Sequence, residues 1–360
     1  MDSNYFKSKL IFKKPVFWLI LFCAVIVGVY LKIQIWSRGS TPRPSRVESL
    51  KMPEKPEMTL LNTVAYDKKL NEIANIFPSA GESTSTPPTG GWPVKAAYPN
   101  AGALLPFNRV VAYYGNLYSK GMGILGEYSP EVVLEKLRGE VKKWQVADPS
   151  TQVLPALHYI AVVAQAGPTR DGKYRARMPD KEIDKVLAMA KEVDGIVFLD
   201  IQVGLSSVEV EVPLLEKYLK LSNVHLGIDP EFAMHNGDKP GTAIGSLDAK
   251  DINFAAEYLS QIVKVNSLPP KILVIHRFTG PMVKNYKQIT PLPEVQIVMD
   301  MDGFGGQANK INTYKQFIYK EPVQFTGFKL FYKNDSKRGP LLSPEQLLKL
   351  TPIPVYIQYQ

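Results

Sequence analysis

Residues 196–202 read Ile-Val-Phe-Leu-Asp-Ile-Gln, an apolar run that ends in an aspartate and, two residues later, a second polar side chain. Residues 224–231 (Val-His-Leu-Gly-Ile-Asp-Pro-Glu) and 295–302 (Val-Gln-Ile-Val-Met-Asp-Met-Asp) repeat this pattern. Residues two apart on a β-strand point to the same face, so each pair presents two polar groups together. Parallel α/β sheets carry their binding and catalytic groups at the carboxyl-terminal ends of the strands. The three runs therefore predict a carboxylate-rich site at that end of a parallel sheet.

The chain from residue 107 onward alternates between strand-like and helix-like segments. Short apolar runs predict strands within residues 109–115, 153–165, 195–203, 223–230, 271–278, 295–302, 322–331 and 353–359. Helix starts with proline at the first helical position, at Ser129-Pro130-Glu131 and Ser343-Pro344-Glu345, lie between them. This alternation over about 250 residues is typical of a (β/α)8 barrel. We therefore expect residues 107–360 to form an α/β barrel of the TIM type that lacks its last helix, with an open doubly wound sheet as the alternative.

The first 106 residues predict a membrane anchor and a stem. Residues 15–36 are apolar and nearly uncharged, which suits a transmembrane helix. The lysine-containing segment 1–14 precedes it and places the N-terminus in the cytoplasm. Because no small-residue cleavage site follows closely, we expect an uncleaved signal anchor rather than a cleaved signal peptide. Residues 37–106, rich in proline and with a short helical pattern at 59–77, predict a stem that places the barrel outside the cytoplasmic membrane.

Composition excludes some classes of protein. The 360 residues are 45% hydrophobic and 21% charged, a globular balance that needs no disulfide to hold a large core. Cys23 is the only cysteine, so an intramolecular disulfide or a cysteine metal cluster is excluded. Much of the net charge of +9 lies near the anchor, where it favours a membrane partner. No basic stripe with interleaved aromatic residues occurs, so nucleic acid is not an expected partner.

Asp229 and Glu231 form the sharpest of the three pairs. A glycosidase requires a carboxylic acid that stays protonated at its working pH and a second carboxylate nearby. Two adjacent carboxylates raise the pKa of one of them, which provides such an acid. We expect Glu231, the longer side chain, to be the general acid, with Asp229 and Asp300 as the supporting catalytic carboxylates. The alternative is that Asp229 and Pro230 begin a turn and Glu231 is solvated.

Other polar and aromatic side chains are expected around the same strand ends as substrate-binding groups. They are Asp200, Gln202, Asp302, His276, Tyr114, Asn116, Gln165, Lys329, Tyr332, Tyr356 and Gln358. Aromatic faces stack on sugar rings, and amides and carboxylates bond their hydroxyl groups. On the fifth strand, an inward His276 would lie near Asp300 and Glu231, where it would orient a carboxylate, move a proton or bind a metal. A purely structural role is the alternative for this histidine.

The stretch Gly227-Ile-Asp229-Pro-Glu231 resembles the Asp-x-Glu motif at the end of the fourth strand in chitinase-like glycosidases and Chalaropsis-type lysozymes. The resemblance implies a (β/α)8 barrel with Glu231 as general acid and Asp229 as its assistant. The longer Asp-x-x-Asp-x-Asp-x-Glu pattern of chitinases is incomplete, because positions 224, 227 and 229 are Val, Gly and Asp. The first-strand aspartate of the lysozymes is also missing, since that strand ends in Tyr113-Tyr114-Gly115-Asn116. The chain is also similar to uncharacterised secreted bacterial barrel proteins, which implies no activity.

These patterns predict a membrane-anchored, extracytoplasmic barrel that hydrolyses or binds a cell-envelope or extracellular glycan without a cofactor. The same carboxylates are ligands for Mg²⁺, Mn²⁺ or Zn²⁺, so a hydrolase or lyase that depends on a divalent metal is one alternative. A non-catalytic envelope protein on the same scaffold is the other, because a fold does not specify an activity. The sequence contains no Gly-x-Ser-x-Gly, P-loop or His-Glu-x-x-His motif, which argues against the enzymes that use them.

Overall fold

The computed structural model describes residues 60–76 and 90–360, which belong to one unit. The segment 1–14 and the predicted membrane helix at 15–36 lie outside the described residues, so both stay predictions. Within the described residues, no helix has the length and apolar character that a bilayer crossing requires.

Eight parallel strands close into a barrel. They are β1 Asn108–Gly115, β2 Gln152–Ala164, β3 Ile196–Ile201, β4 Val224–Ile228, β5 Lys271–Arg277, β6 Val295–Met301, β7 Phe325–Leu330 and β8 Tyr356–Tyr359. Each pairs with the next along the chain, and β8 pairs with β1 with Tyr356 beside Val110, which closes the sheet. The predicted (β/α)8 barrel is thus confirmed, and each strand overlaps its predicted segment. The open doubly wound sheet is excluded.

Helices surround the barrel on most of its circumference. They are α1 Thr63–Ala74, α2 Ile124–Glu127, α3 Pro130–Ala147, α4 Asp180–Lys191, α5 Val208–Glu211, α6 Glu216–Leu219, α7 Ala249–Asn266, α8 Gln307–Tyr314 and α9 Pro344–Leu347. The longest helices bury one face: in α7 that face includes Ile252, Ala256 and Leu259, and a capping box from Asp248 and Asp251 begins the helix. A π-helical turn, Lys315–Tyr319, continues α8.

Three short strands lie outside the barrel wall. Arg175–Arg177 pairs antiparallel with the end of β2, and Leu247–Asp248 pairs with Val283–Lys284. The latter pair lies in the connections that follow β4 and β5. After β5, only this pairing and short 3₁₀ turns replace a helix within the described residues.

Helix α1 belongs to the barrel body rather than to a stem. Its Tyr66 and Ile73 are buried in the same core cluster as Leu105, Phe325 and Val355 at the start of the barrel strands. The Ile73 carbonyl accepts a hydrogen bond of 2.7 Å from the Ile353 amide. The helical pattern at 59–77 was correctly predicted, but the folded domain extends to the amino-terminal side of residue 107, because α1 covers the amino-terminal end of the barrel.

The barrel interior has two halves of opposite chemistry. We call the amino-terminal half the lower interior; its side chains are mostly apolar and include Val110, Ala112, Ala156, Phe198, Ile272, Val274, Val298 and Phe325. We call the carboxyl-terminal half the polar cluster; it consists of Tyr114, His158, Asp200, Gln202, Asp229, His276, Asp300, Asp302, Lys329, Tyr356 and Gln358. Strands β1, β2, β3, β5, β6 and β7 supply both halves, because alternate residues of one strand point inward.

Candidate functional site

Asp200, near the end of β3, lies at the centre of the polar cluster. Its Oδ1 atom is 3.3 Å from Nε2 of His158 and 3.5 Å from Nε2 of His276. Its Oδ2 atom accepts a hydrogen bond of 3.0 Å from the Tyr114 hydroxyl. All four side chains are buried, so these contacts replace solvation for the aspartate.

His276, on β5, connects Asp200 to the two aspartates of β6. Its Nδ1 atom is 3.3 Å from Asp300 Oδ2 and 3.2 Å from Asp302 Oδ2. Asp300 on β6 and Asp302, one residue beyond its end, therefore point to the same side, and the predicted inward orientation of His276 beside Asp300 is confirmed. Three carboxylates surround one imidazole in the middle of the barrel.

Lys329, on β7, supplies a second positive charge to the cluster. Its Nζ atom lies 3.1 Å from Asp302 Oδ1 and 3.8 Å from the centre of the Tyr114 ring. The ammonium group is thus paired with a carboxylate and placed over an aromatic face. This buried ion pair joins β6 and β7 to β1 across the barrel mouth.

Two glycines make room for the buried aspartates. A Cβ atom at Gly227 would lie 2.3 Å from His158 Nε2 and 2.5 Å from Asp200 Oδ1, and one at Gly327 would lie 2.5 Å from Asp300 Oδ1. No side chain larger than hydrogen fits at either position while these contacts persist. The cluster therefore requires glycine at these two positions of β4 and β7 as well as the polar groups themselves.

Asp229 and Glu231 do not form the predicted strand pair. Strand β4 ends at Ile228, and Pro230 begins a short 3₁₀ turn, Pro230–Phe232. Asp229 caps this turn: its Oδ1 accepts a hydrogen bond from the Glu231 amide, and its Oδ2 accepts one from Gln202 Nε2 at 3.2 Å. The two carboxyl groups are linked through the backbone of the turn, and Glu231 extends from it as a half-buried side chain.

Burial gives both of these acids unusual protonation behaviour. Burial, and after it the charges of Asp229 and Asp302, raise the pKa of Glu231 to about 8. Burial and the charges of Asp200 and Asp302 likewise raise the pKa of Asp229 to about 7. Glu231 is therefore protonated at neutral pH, the state that a general acid requires.

The deeper groups divide into charged and neutral forms. Burial alone would lower the pKa of His276, but the carboxylates of Asp200, Asp300 and Asp302 outweigh it and hold this pKa well above its usual value. Burial opposes ionisation of Asp200 too, yet His276 and His158 hold its pKa well below the usual range. Burial raises the pKa of Asp300. It lowers the pKa of His158 to about 4, so this imidazole is neutral at pH 7.

The other predicted binding residues fall into two groups. Gln202, Tyr356 and Gln358 belong to the cluster, and Gln358 Nε2 donates a hydrogen bond of 2.8 Å to the Tyr356 hydroxyl. Asn116 and Gln165 are buried at the strand ends, where their side-chain amides bond backbone carbonyls of β2. These two residues fix the β1 and β2 ends in place.

Tyr332 lies away from the cluster, which corrects its predicted place at the mouth. Its ring packs on Tyr113 and Tyr359, which point outward from β1 and β8, and its hydroxyl donates to Glu140 of α3. Strand β7 ends at Leu330, so the alternation of faces does not extend to Tyr332.

Sequence reasoning missed two residues of this region. His158 was not assigned a place in the site, yet it faces Asp200 in the middle of the barrel. Phe304, in the connection after β6, was not assigned a role either, and it is 68% exposed although it is a large aromatic residue. The sequence signal for it was a phenylalanine within the glycine-rich segment 303–306 that follows a strand.

One set of side chains within the described residues has the spacing of metal ligands. His158, Asp200 and His276 each offer a ligand atom, and the three atoms lie within 4.8 Å of one another. The predicted metal-binding carboxylates Asp229, Glu231 and Asp300 are not part of this set.

Comparison with solved structures shows a weak resemblance to glycoside hydrolase barrels. The chain is similar to a ruminal GH26 endo-β-1,4-mannanase, with 11% identity, a TM-score of 0.35, and coverage of 70% of this chain and 58% of the mannanase. It is also similar to a Bacillus subtilis mannanase, with 13% identity, a TM-score of 0.36, and coverage of 71% of this chain and 80% of the mannanase. A GH18 chitinase from Pseudoalteromonas aurantia is similar with 11% identity, a TM-score of 0.32, and coverage of 70% of this chain and 93% of the chitinase. No protein-family model and no curated protein matches the chain. Because the identities and TM-scores are low, these likenesses assign no residue and no activity.

Proposed function

We propose that the barrel hydrolyses a glycan, with Glu231 as the general acid. The observation that carries this proposal is the position of Glu231, half-buried beyond the carboxyl-terminal end of β4, where burial raises its pKa to about 8. A carboxylic acid that is protonated at neutral pH and reaches the mouth of a barrel is placed to transfer a proton to a leaving oxygen.

Each of the remaining carboxyl groups has a separate part in this reaction. The proton of Glu231 passes to the glycosidic oxygen as the C–O bond breaks, and the water that adds to the sugar carbon gives its proton to the ionised Asp302 carboxylate. Asp229 holds the turn that carries Glu231, through the hydrogen bond from the Glu231 amide. Asp302, 8% exposed and with a pKa held below its usual value mainly by Lys329 against the effect of burial, is the anion nearest to solvent.

Asp300 has a different part from the one that the sequence predicts. Its side chain is fully buried, one inward position deeper on β6 than Asp302. A substrate at the mouth contacts Asp302 before Asp300, so the proposal assigns the role of the second catalytic carboxylate to Asp302 instead of Asp300. Asp300 then acts by positioning His276, whose Nδ1 lies 3.3 Å from its Oδ2.

The proposal places the reaction outside the cytoplasmic membrane, on an envelope or extracellular glycan. Its basis is the apolar segment 15–36 that follows a lysine-rich segment. In intact cells, an impermeant amine-labelling reagent and external protease should reach the barrel domain and leave a cytoplasmic control protein untouched. Protection of the barrel until the cells are opened would place it in the cytoplasm and remove envelope glycans as substrates.

The enzymatic test compares the full-length protein with Glu231→Gln and a matched control, Glu257→Gln, whose glutamate is exposed on α7. Purified peptidoglycan, chitin oligosaccharides and β-mannan are incubated with each protein, and new reducing ends are counted. We expect cleavage of at least one glycan by the wild type, a loss of roughly 10²-fold or more in Glu231→Gln, and wild-type rates in Glu257→Gln. Equal rates in all three proteins would remove Glu231 from the reaction.

The burial of the polar cluster favours one second candidate, a barrel that binds a glycan without cleaving it. Asp200, His276 and Asp300 have no exposed surface, so most of the ionisable groups lie out of reach of a substrate. Equilibrium binding of one of the same glycans, with no reducing ends formed over hours, would support this candidate over the hydrolase.

A further inference from the structure

We propose that His158, Asp200 and His276 form a binding site for a divalent transition-metal ion inside the barrel. The site is deeper than Glu231 and does not depend on the proposed hydrolysis.

The geometry of the three side chains is the first observation. The Nε2 atoms of both imidazoles point at the same carboxylate oxygen, Asp200 Oδ1, at 3.3 and 3.5 Å. Ligand atoms of a tetrahedral zinc ion, with bonds of about 2.1 Å, lie roughly 3.4 Å apart. Two of the three separations thus match the spacing of ligands around one ion.

The second observation is that these ligand atoms have no hydrogen-bond partner. His158 Nε2, His276 Nε2 and Asp200 Oδ1 are fully buried, and none forms a hydrogen bond of acceptable geometry with a described residue. Most buried polar atoms in native proteins are hydrogen-bonded, so three adjacent exceptions require an explanation. An ion between them provides a partner for all three.

The third observation is the shape of β4 beside these atoms. Gly227 is the residue next to both His158 Nε2 and Asp200 Oδ1, and any side chain there would occupy the space around them. The glycine leaves that side of the ligand atoms accessible to an ion.

Outer groups lie beside each ligand. His158 Nδ1 lies 2.6 Å from the Tyr356 hydroxyl and Asp200 Oδ2 accepts from Tyr114, whereas His276 Nδ1 lies 3.3 and 3.2 Å from the Asp300 and Asp302 carboxylates as an ion pair without a hydrogen bond of acceptable geometry. Histidine ligands of metals usually direct their second nitrogen at such a carboxylate or oxygen. The polar cluster therefore has the layered arrangement of a metal centre.

The ligand set decides the class of ion. Two imidazoles and one carboxylate suit Zn²⁺, Fe²⁺ or Mn²⁺, whereas Ca²⁺ and Mg²⁺ prefer oxygen ligands alone. The competing explanation is a proton on His276 that bridges Asp200, Asp300 and Asp302 with no ion present, and the experiment distinguishes the two.

The test measures metal on the full-length protein after chelation, reloading with ZnCl₂ and exhaustive dialysis. We expect one zinc ion per chain, measured by inductively coupled plasma mass spectrometry. His158→Gln and Asp200→Asn should weaken zinc binding by at least about tenfold, and the control His235→Gln, at an exposed loop histidine, should leave it unchanged. Cobalt(II) in place of zinc should give the intense visible absorption of a site with few ligands, and this absorption should disappear in the first two variants.

The wild-type protein alone provides a second readout in case the variants do not fold. Zinc at 100 times its Kd should raise the melting temperature by about 5 °C, because a ligand that binds only the folded state stabilises it. A wild-type protein with no stoichiometric zinc and no change in melting temperature would overturn the proposal in favour of the bridging proton. Zinc retained equally by wild type, His158→Gln and Asp200→Asn would also overturn it, because the ion would then lie elsewhere.

Discussion

Strands β1, β2, β3, β5, β6 and β7 build both the lower interior and the polar cluster, yet the two halves are stabilised in different ways. On β3, Phe198 belongs to the apolar core and stacks on His158, and Asp200, the next inward residue, contacts two histidines and a tyrosine. On β6, Val298 and Asp300 show the same change within two residues.

The two halves differ in how much change they tolerate without loss of function. Apolar packing in the lower interior contributes stability through buried area, and it meets the polar cluster where Phe198 stacks on His158. Charge pairing in the polar cluster contributes little net stability, because the desolvation of each ion offsets its attraction to its partner. A buried charged layer is therefore better explained by a function at the mouth than by the needs of folding.

The largest expected effect is a loss of stability without a loss of activity, from a substitution in the lower interior. Phe325→Ala should lower the free energy of unfolding by about 4 kcal/mol, because it removes a buried ring and leaves a cavity in the lower interior. The folded fraction should still cleave a glycan at a rate near that of the wild type. Urea denaturation and turnover per folded molecule measure the two effects. A variant that keeps its stability but loses turnover would contradict the division between the two halves.

The pH dependence of the rate is the next largest effect. Glu231 must be protonated to act as the acid, and its pKa is about 8. We therefore expect kcat/KM to fall as pH rises above about 8, tenfold for each further unit. The residual rate of Glu231→Gln should show no such decrease. A decrease that begins near pH 5 would mean that an ordinary carboxyl group, rather than this buried one, donates the proton.

Gly227→Ala tests how tightly the cluster is packed. The added Cβ would meet His158 Nε2 at 2.3 Å, so we expect a loss of about 2 kcal/mol in the free energy of unfolding. Gly139→Ala is the matched control, because a Cβ on this glycine of α3 meets nothing within 4 Å. That control should raise stability by roughly 0.5–1 kcal/mol, as alanine does in helices. The same thermal unfolding assay measures both, and equal effects would show that β4 has space beside the histidine.

The smallest effect concerns the mouth itself. Phe304 is 68% exposed, so Phe304→Ala should change the free energy of unfolding by no more than about 0.5 kcal/mol. If its ring stacks on a sugar, KM for the cleaved glycan should rise several-fold while kcat stays constant. An unchanged KM would place the glycan on another part of the mouth.

Much of the fold was readable from the sequence, for a physical reason. Strands buried on both faces are continuous apolar runs, as in Ile196–Ile201, and their ends are marked by the first polar side chains. The same property located Asp200, His276, Asp300 and Asp302.

The parts of the site that were not predicted depend on the register between strands and on where each strand ends. The residue pattern of a single strand determines neither. His158 lies within a strand of 13 residues with a register shift between Ile160 and Val162, so alternation did not identify its face. Pro230 ended β4 early and turned Glu231 away from the predicted strand pair. The space that Gly227 leaves for Asp200 exists only once β3 and β4 are paired.

The central claim is that burial beside the polar cluster keeps the Glu231 side chain protonated at neutral pH. A ¹³C NMR titration of carboxyl-labelled glutamate, with the Glu231 resonance assigned by its loss in Glu231→Gln, measures this directly and needs no substrate. We expect a midpoint of about 8. A midpoint near the ordinary glutamate value of 4.5 would contradict it.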